Sequence, residues 1–160
     1  MEQGIRIMLG QQTLELLRDG EAVRRYLISS ALNGAGERYG SECTPRGEHT
    51  VRLKIGGGCP VNSVFAGRRP TGEIYSPELA ASEPDRDWIL TRILWLCGQQ
   101  PGYNRGGQCD TLRRYIYIHG TPDDNIMGIP ESHGCIRMKN NELVELFNLV
   151  YNNMPVHIVE

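Results

Sequence analysis

Apolar and polar side chains alternate along the first third of the chain, and this alternation strongly constrains the fold. A period of two places every apolar side chain on one face of an extended segment, as in half-buried β-strands. Asp19-Gly20 separates two such segments, and an Asp-Gly pair between apolar runs favours a two-residue hairpin turn. We therefore predict a β-meander in this third and a mainly β fold. The alternating residues are Ile5, Ile7, Leu9, Leu14 and Leu16, followed by Val51, Leu53 and Ile55.

Residues 56–76 are rich in glycine and proline, so we predict a loop at the rim of a cleft. The segment starts with Gly56-Gly57-Gly58, but it lacks the Lys-Ser/Thr pair and the helix start of a phosphate-binding loop. Residues 87–97 are almost continuously apolar, and periodicity alone leaves a buried strand and a short helix open. Residues 114–119 predict a strand that carries on one face Tyr115, Tyr117 and His119.

The last segment predicts an amphipathic helix followed by a closing strand. Its apolar residues recur with the i, i+3, i+4, i+7 spacing that forms one stripe on a helix, and we expect Asn140 or Asn141 to cap its start. Pro155 ends the helical pattern, and residues 156–159 predict a strand. The stripe consists of Leu143, Leu146, Phe147 and Val150. The predicted fold class is therefore mainly β with short helices, one of them near the C-terminus.

The chain has 160 residues and a net charge of −2, which fits a single domain spanning residues 1–160. Its short arginine pairs, Arg24-Arg25 and Arg113-Arg114, are expected to be solvated. We expect no nucleic-acid partner, because such proteins usually present a basic face. We also expect no membrane association, because no apolar stretch is long enough to span a bilayer, and we expect a monomer.

The N-terminal sequence MEQGIRIMLGQQTLELL lacks the basic, apolar and small-residue regions of a secretory signal. Five cysteines leave at least one thiol free in a monomer, and none of them forms a CxxC pair. These observations predict reduced thiols and a cytoplasmic protein, or a periplasmic one if an export signal was removed or lies upstream. The cysteines are Cys43, Cys59, Cys97, Cys109 and Cys135.

The segment SHGCIRM, residues 132–138, surrounds Cys135 with a hydroxyl, an imidazole and a guanidinium. A packed structural cysteine usually has apolar neighbours, whereas nearby positive charge lowers the pKa of a thiol and makes it more nucleophilic. A cysteine nucleophile needs a base within hydrogen-bonding reach, and His119 in the upstream His-Gly-Thr segment is the candidate. Backbone N–H groups around Gly134 and Cys135 are expected to form an oxyanion hole.

Other interpretations of these residues remain open. Cys135 on its own is also consistent with a packed thiol, and His119 with a histidine at the end of a strand. A zinc site formed by His119, His133 and Cys135 would lack the paired ligand spacing of protein zinc sites, so we expect no metal and no other cofactor. The sequence leaves three roles for His133: a second catalytic histidine, a substrate ligand, or a support for the loop.

The segments HGT and SHGCIRM together closely resemble the catalytic motif of the L,D-transpeptidase catalytic domain, also called the YkuD-type domain. The resemblance covers most of the chain. TPRGEHTV resembles the family's Thr-Pro-x-Gly turn and following strand, and NNELVELFNLVYNNMPVHIV resembles its closing helix and strand. His49 departs from the pattern, because an aromatic residue is common there. The family fold is a curved mixed sheet or β-sandwich with short helices, which agrees with the strands predicted above.

The resemblance implies a role for each residue of the motif. Cys135 is the expected nucleophile and His119 its base, oriented by the backbone carbonyl of Gly120. The residues expected to shape the oxyanion and substrate pocket are Ser132, His133, Gly134 and Arg137. Two roles are open for Arg137, either a salt bridge that anchors the loop or a contact with a substrate carboxylate.

The resemblance also implies the substrate, which is the stem peptide of bacterial peptidoglycan. The thiolate of Cys135 attacks the carbonyl of residue three, typically diaminopimelate, D-alanine leaves, and a thioester remains. Transfer to water gives an L,D-carboxypeptidase of muropeptide recycling, which we expect because no export signal is visible. Transfer to an amine gives a transpeptidase that forms cross-links or exchanges D-amino acids in the periplasm. A non-catalytic peptidoglycan-binding module is the alternative from another functional class.

Overall fold

A computed structural model describes residues 1–160, and its first three strands form the predicted meander. They are β1 (Gly4–Met8), β2 (Thr13–Arg18) and β3 (Glu21–Leu27), and each pairs antiparallel with the next. Asp19 and Gly20 form the two-residue turn between β2 and β3, with φ angles of 53° and 79°. Aspartate and glycine tolerate this left-handed conformation better than most residues, and the hairpin prediction is confirmed.

Seven strands, two helices and one short helical turn complete the fold. They are β4 (Gly47–Ile55), β5 (Ser63–Ala66), β6 (Arg69–Ile74), α1 (Pro77–Ser82), β7 (Ile89–Gly98), a 3₁₀ turn (Gly107–Cys109), β8 (Tyr117–Gly120), β9 (Ile136–Met138), α2 (Asn140–Leu149) and β10 (Pro155–Val159). The apolar segment at residues 87–97 thus forms a strand rather than a helix. Neither α-helix combines the length and the apolar character that crossing a membrane requires.

All ten strands belong to one mixed sheet. Eight of them follow the order β3-β2-β1-β10-β4-β7-β5-β6, and the remaining two branch from β7, since β8 pairs with the edge of β7 opposite β4 and β9 pairs with β8. The pairs β1–β10 and β8–β9 are parallel, whereas the other pairs are antiparallel. The predicted class, a mainly β mixed sheet with short helices, is confirmed. The meander ends at β3, however, because the C-terminal strand β10 lies between β1 and β4.

Helix α2 packs its predicted apolar stripe against β7 and β8. All four residues of the stripe are buried, which confirms this prediction. The capping prediction is wrong, because the helix begins at Asn140 directly after Lys139 and no side chain caps it. The side chain of Asn140 is buried and bonds instead to neighbouring segments, which the site below depends on.

The loop predicted for residues 56–76 is wrong over its second half, where β5 and β6 form a hairpin. Val64 and Phe65 are buried and pair with β7. The turn consists of Gly67 and Arg68, whose φ angles of 54° and 65° match the twist of a two-residue hairpin. Gly-Arg is not among the usual turn pairs, and β5 has only four residues, so the sequence pattern was too weak to reveal the hairpin.

The strand predicted for residues 114–119 begins only at Tyr117. Tyr115 lies in the preceding turn with a φ of 57°, and its side chain is 51% exposed, so it does not share the face of the other two residues. Tyr117 and His119 lie two positions apart in β8 and are both buried. The strand therefore delivers His119 as predicted, whereas Tyr115 projects from a turn.

His49, which departs from the pattern of the resemblance, is buried in β4 with both ring nitrogens hydrogen-bonded. Nδ1 lies 3.0 Å from the Gly47 carbonyl, and Nε2 lies 2.9 Å from the Thr111 hydroxyl. A carbonyl can only accept, so Nδ1 carries the proton. Burial lowers the pKa of His49 to about 4, because a charged ring would lose its hydration.

We expect the protein to lose stability between pH 6.5 and about pH 4, because unfolded His49 gains a proton there and folded His49 does not. The unfolded state binds more protons in this range, so acid favours it by up to about 3 kcal/mol. Denaturant unfolding at several pH values measures the slope. His49→Phe should reduce the slope, because it removes the group that titrates differently in the two states. Equal slopes in the wild type and the variant would contradict this assignment.

Candidate active site

The parallel pairing of β8 with β9 brings the two sequence motifs together. His119 lies opposite Arg137 in this register, and Cys135 directly precedes β9. The side chains of His119 and Cys135 therefore line one cavity, with a volume of about 260 Å³. The predicted site residues that line this cavity are His119, Ser132, His133, Cys135 and Arg137. The predicted residues outside the lining are the glycines at positions 120 and 134.

Ser132 and Thr44 hold the loop that carries Cys135. The Ser132 hydroxyl donates a hydrogen bond to the Cys135 carbonyl at 2.5 Å and accepts one from the Gly134 N–H at 3.2 Å. The buried Thr44 hydroxyl donates to the Gly134 carbonyl at 2.9 Å and accepts from the Ala31 N–H at 3.0 Å. Sequence reasoning assigned this threonine only to a turn and missed its bond to the loop.

Close packing explains the two glycines of the motifs. A Cβ atom on Gly120 would collide with the side chain of Asn140 and with a backbone carbonyl of β7. Gly134 has a φ of 132°, a conformation that residues with a side chain rarely adopt. Because Gly120 adjoins His119 and Gly134 adjoins Cys135, a side chain at either position would displace one of these two residues.

Asn140 stabilises the backbone next to His119 and Gly120 through hydrogen bonds of its side chain. Its position at the start of a helix did not reveal this role. Its Nδ2 donates to the Thr121 carbonyl at 2.9 Å, and its Oδ1 accepts from the Thr91 hydroxyl at 2.6 Å. Thr91 lies at an irregular point of β7 with a φ of 76°. These bonds fix the backbone immediately after the His119-Gly120 pair.

The His119 ring is buried and oriented by its neighbour. Nδ1 donates to the Gly120 carbonyl at 2.7 Å, the contact that the family resemblance implied. A carbonyl can only accept, so Nδ1 carries the proton and Nε2 keeps a lone pair. Burial lowers the pKa of His119, and this effect outweighs those of the Gly120 carbonyl and Asp87, which raise it. The ring is therefore neutral near neutral pH and able to accept a proton.

The Cys135 thiol is protonated in this structure and makes no hydrogen bond to His119. Its Sγ donates to the Tyr115 carbonyl at 3.2 Å and accepts from the Tyr117 N–H at 3.3 Å. Burial raises the pKa of the thiol to about 12, more than the Tyr117 N–H and two nearby arginines lower it. Neighbouring positive charge thus lowers the pKa of this thiol, as the sequence predicted, but by less than burial raises it.

Among the backbone N–H groups of residues 132–135, those of His133 and Cys135 make no hydrogen bond within the protein. The Gly134 N–H is occupied by the Ser132 hydroxyl at 3.2 Å. The oxyanion hole was expected from backbone N–H groups around Gly134 and Cys135. Of these two residues, only Cys135 has a free N–H group, and the free N–H group of His133 is a second candidate donor. Free donors beside a nucleophile are what a developing oxyanion requires.

Two arginines line the cavity, and each interacts with groups of the protein. Arg137 lies 3.6 Å from Asp87, which is the loop-anchoring salt bridge that was one of its two predicted roles. Arg114, which was expected in solvent, instead donates to the carbonyls of Cys43 and Gly36 at 2.6 and 3.2 Å. Burial lowers the pKa of Arg114, but a guanidinium remains charged near neutral pH.

His133 is exposed at the mouth of the cavity and makes no hydrogen bond to the protein through its ring. It therefore does not anchor the loop through a hydrogen bond, and its roles as a substrate ligand or a second catalytic histidine stay predictions. No group of three or more His, Cys, Asp or Glu side chains lies together in an arrangement that could hold a metal ion.

We expect Cys135 to react slowly with iodoacetamide near neutral pH, at a rate that keeps rising up to about pH 10, because only the thiolate reacts. An unperturbed thiol with a pKa of about 8.5 approaches its plateau earlier. Peptide-resolved mass spectrometry separates Cys135 from the other cysteines, which serve as internal references. A rate that levels off below about pH 8 would contradict a thiol whose pKa is raised above its ordinary value.

Thr44→Val should lower the free energy of unfolding by about 1–3 kcal/mol, because it leaves the buried Ala31 N–H and Gly134 carbonyl without their partner. Denaturant unfolding measures this loss. Thr50→Val is the matched control, since the Thr50 hydroxyl accepts only from an exposed amide, Gln99 Nε2 at 3.1 Å. The control should cost less than about 0.5 kcal/mol. Equal losses in the two variants would show that Thr44 does not hold the loop.

Comparison with known proteins agrees with this fold. The family model of the L,D-transpeptidase catalytic domain (YkuD) matches residues 2–158, and no curated protein sequence matches. The L,D-transpeptidase (residues 123–326) from Xylanimonas cellulosilytica shares 20% identity and a TM-score of 0.57, over 99% of this chain and 62% of that one. The C442S mutant of the Enterococcus faecium L,D-transpeptidase shares 16% identity and a TM-score of 0.60, over 99% and 50%.

The catalytic domain of the E. faecium L,D-transpeptidase, solved acylated by ertapenem, shares 20% identity and a TM-score of 0.56, over 99% of this chain and 98% of that one. Identities this low demonstrate similarity of fold alone. The chain spans less than two thirds of the first two structures, at 62% and 50%. The family model, in contrast, matches nearly every residue, from 2 to 158, and it shows that the chain belongs to the L,D-transpeptidase catalytic-domain (YkuD) family.

Proposed function

We propose that this protein is a cysteine-dependent acyltransferase that cleaves the bond between residue three, diaminopimelate, and D-alanine in tetrapeptide stems of peptidoglycan. One observation carries the proposal: a neutral His119, oriented by the Gly120 carbonyl, shares a cavity with Cys135. A base and a thiol in one cavity, with free N–H donors beside them, form the machinery of acyl transfer. Membership of the family supports the substrate class.

In the proposed first step, the Cys135 thiol transfers its proton to His119 Nε2 while Sγ attacks the carbonyl carbon of residue three. The oxyanion accepts hydrogen bonds from the N–H groups of Cys135 and His133. The imidazolium then protonates the departing amine, the C–N bond breaks, and D-alanine leaves a thioester on Cys135. Water, deprotonated by His119, attacks this thioester, the tripeptide acid departs, and the imidazolium returns its proton to the thiolate.

In the resting protein the Cys135 thiol donates a hydrogen bond to the Tyr115 carbonyl, and this determines when the thiol loses its proton relative to its attack on the substrate. With a pKa of about 12, the thiol contains almost no thiolate near neutral pH. Proton transfer to His119 therefore accompanies the attack rather than preceding it. Substrate entry must turn the thiol away from Tyr115 and toward the imidazole, whose lowered pKa keeps it ready as a base.

Water is the acceptor that we propose. The cavity lining contains one carboxylate, Asp87, and this group faces Arg137 at 3.6 Å. No free carboxylate therefore remains in the lining to hold an ammonium group, and Arg114 adds a further positive charge. Transfer to a diaminopimelate amine or to a D-amino acid is the alternative, and it would proceed from the same thioester.

We also propose that the protein acts in the cytoplasm on soluble muropeptides. All five cysteines are free thiols in the structure, which is typical of proteins in a reducing compartment. Cell fractionation should recover the protein with cytoplasmic markers. Recovery with the periplasm or the cell envelope would contradict this part of the proposal.

We further propose that carbapenems acylate Cys135. The structural neighbour from E. faecium was solved acylated by ertapenem. A β-lactam carbonyl offers the thiol an electrophile of the same kind as the stem-peptide carbonyl, and ring opening takes the place of D-alanine release. The proton path through His119 would be the same, so acylation reports on the first step alone.

Mass spectrometry of a tetrapeptide muropeptide incubated with the protein tests the proposed activity. We expect the tripeptide and free D-alanine, and no adduct when a D-amino acid or a second stem is added. Cys135→Ala should abolish turnover, and His119→Asn should lower kcat by about 10²–10⁴-fold because it removes the general base. His157→Asn, a change outside the cavity, should keep the wild-type rate.

The other outcomes separate the competing functions. Cross-linked dimers or D-amino-acid exchange products as the main products would contradict water as the acceptor and identify a transpeptidase. A wild-type protein that binds the tetrapeptide in a calorimeter but releases no D-alanine would contradict an enzyme and identify a binding module.

A further inference from the structure

Arg68 lies in the turn of the β5–β6 hairpin, and three aromatic residues hold its guanidinium in place. The guanidinium carbon lies 4.5 Å from the ring centre of Tyr115 and 5.2 Å from that of Trp95. Its Nη1 donates a hydrogen bond to the Tyr117 hydroxyl at 3.2 Å. Stacking on aromatic faces together with this hydrogen bond restricts the side chain to a narrow range of positions.

The charge of Arg68 has no carboxylate partner within the protein. None of the eight salt bridges includes it, and its one hydrogen bond uses one of five N–H donors. Of the two arginines of the cavity, Arg137 faces Asp87 at 3.6 Å, and Arg114 directs its N–H groups to the backbone carbonyls of Gly36 and Cys43. Arg68 is thus both held in position and free to bind an anion.

Two tyrosines, Tyr115 and Tyr117, contact both this guanidinium and the Cys135 thiol. Tyr115 and Tyr117 both line the cavity that contains Cys135. Both also bond to the thiol through their backbone, the Tyr115 carbonyl at 3.2 Å and the Tyr117 N–H at 3.3 Å. Each tyrosine thus connects the thiol to Arg68, and we expect a substituent next to the scissile bond to extend along these side chains toward the guanidinium.

We propose that Arg68 binds a carboxylate of the donor stem peptide and so selects stems that are acidic beside the scissile bond, an inference that rests on the proposed function. A tetrapeptide stem has two carboxylates there, on the side chain of diaminopimelate and at the C-terminus of D-alanine. The planar guanidinium suits either, because it binds a carboxylate through two parallel N–H···O bonds.

Steady-state kinetics with three synthetic tetrapeptides tests this inference and distinguishes the two carboxylates. One peptide has both carboxylates free, one is amidated on the side chain of residue three, and one is amidated at its C-terminus. For the wild type we expect one of the amides to have a KM at least about tenfold above that of the free peptide. Arg68→Gln should raise the KM of the free peptide to that value and leave kcat unchanged.

Arg69→Gln is the matched control for this experiment. Arg69 is the next residue of the same hairpin, and it is exposed, stacks on no aromatic ring and makes no salt bridge. We expect it to keep the wild-type preference among the three peptides. Arg68→Lys retains the charge but not the planar fork, so it should recover only part of the preference. Thermal unfolding of each variant verifies the fold.

Two results would overturn the inference. Arg68→Gln could retain the wild-type preference, or it could slow all three peptides by one factor, which would assign Arg68 to the support of the tyrosines alone. Absence of turnover in the wild type would instead contradict the proposed function. In that case the affinities of the three peptides for Cys135→Ala, with and without Arg68→Gln, provide the same comparison, and equal affinities would overturn the inference.

Discussion

The candidate site depends on the parallel pairing of β8 with β9. This register sets His119 opposite Arg137 and leaves Cys135 one position before the strand, at the cavity that the imidazole lines. Parallel neighbours cannot be joined by a tight turn, so a longer connection is required. Residues 121–135 provide it, and the reactive thiol lies at its end. Thr44 secures this connection from a distant segment, through its bond to the backbone of the loop.

Burial acts in opposite directions on the two reactive groups. It lowers the pKa of His119 and raises that of Cys135 to about 12, so the resting site contains two neutral groups rather than an ion pair. Two neutral groups avoid the cost of desolvating charges in a confined cavity. The thiol meanwhile donates a hydrogen bond to the Tyr115 carbonyl rather than to the imidazole. Reactivity would then depend on substrate entry rather than on a permanently ionised cysteine.

Local patterns in the sequence predicted local structure well. The alternation before Asp19-Gly20 and the stripe of α2 correspond to the observed hairpin and buried helix face, and the Gly120 carbonyl orients His119 as the motif implied. Features that depend on distant residues could not be predicted. The bond between Thr44 and Gly134 joins positions 90 residues apart, and the pKa of Cys135 is set by burial that its sequence neighbours do not reveal.

The most direct test is the mass of the intact protein after incubation with ertapenem, followed by peptide mapping. The account predicts one added ertapenem per chain, attached to Cys135, at a rate that falls by about 10²–10⁴-fold in His119→Asn because the thiol loses its base. A protein that remains unmodified, that is modified on another cysteine, or that reacts equally fast without His119 would contradict a Cys135–His119 acyl-transfer site.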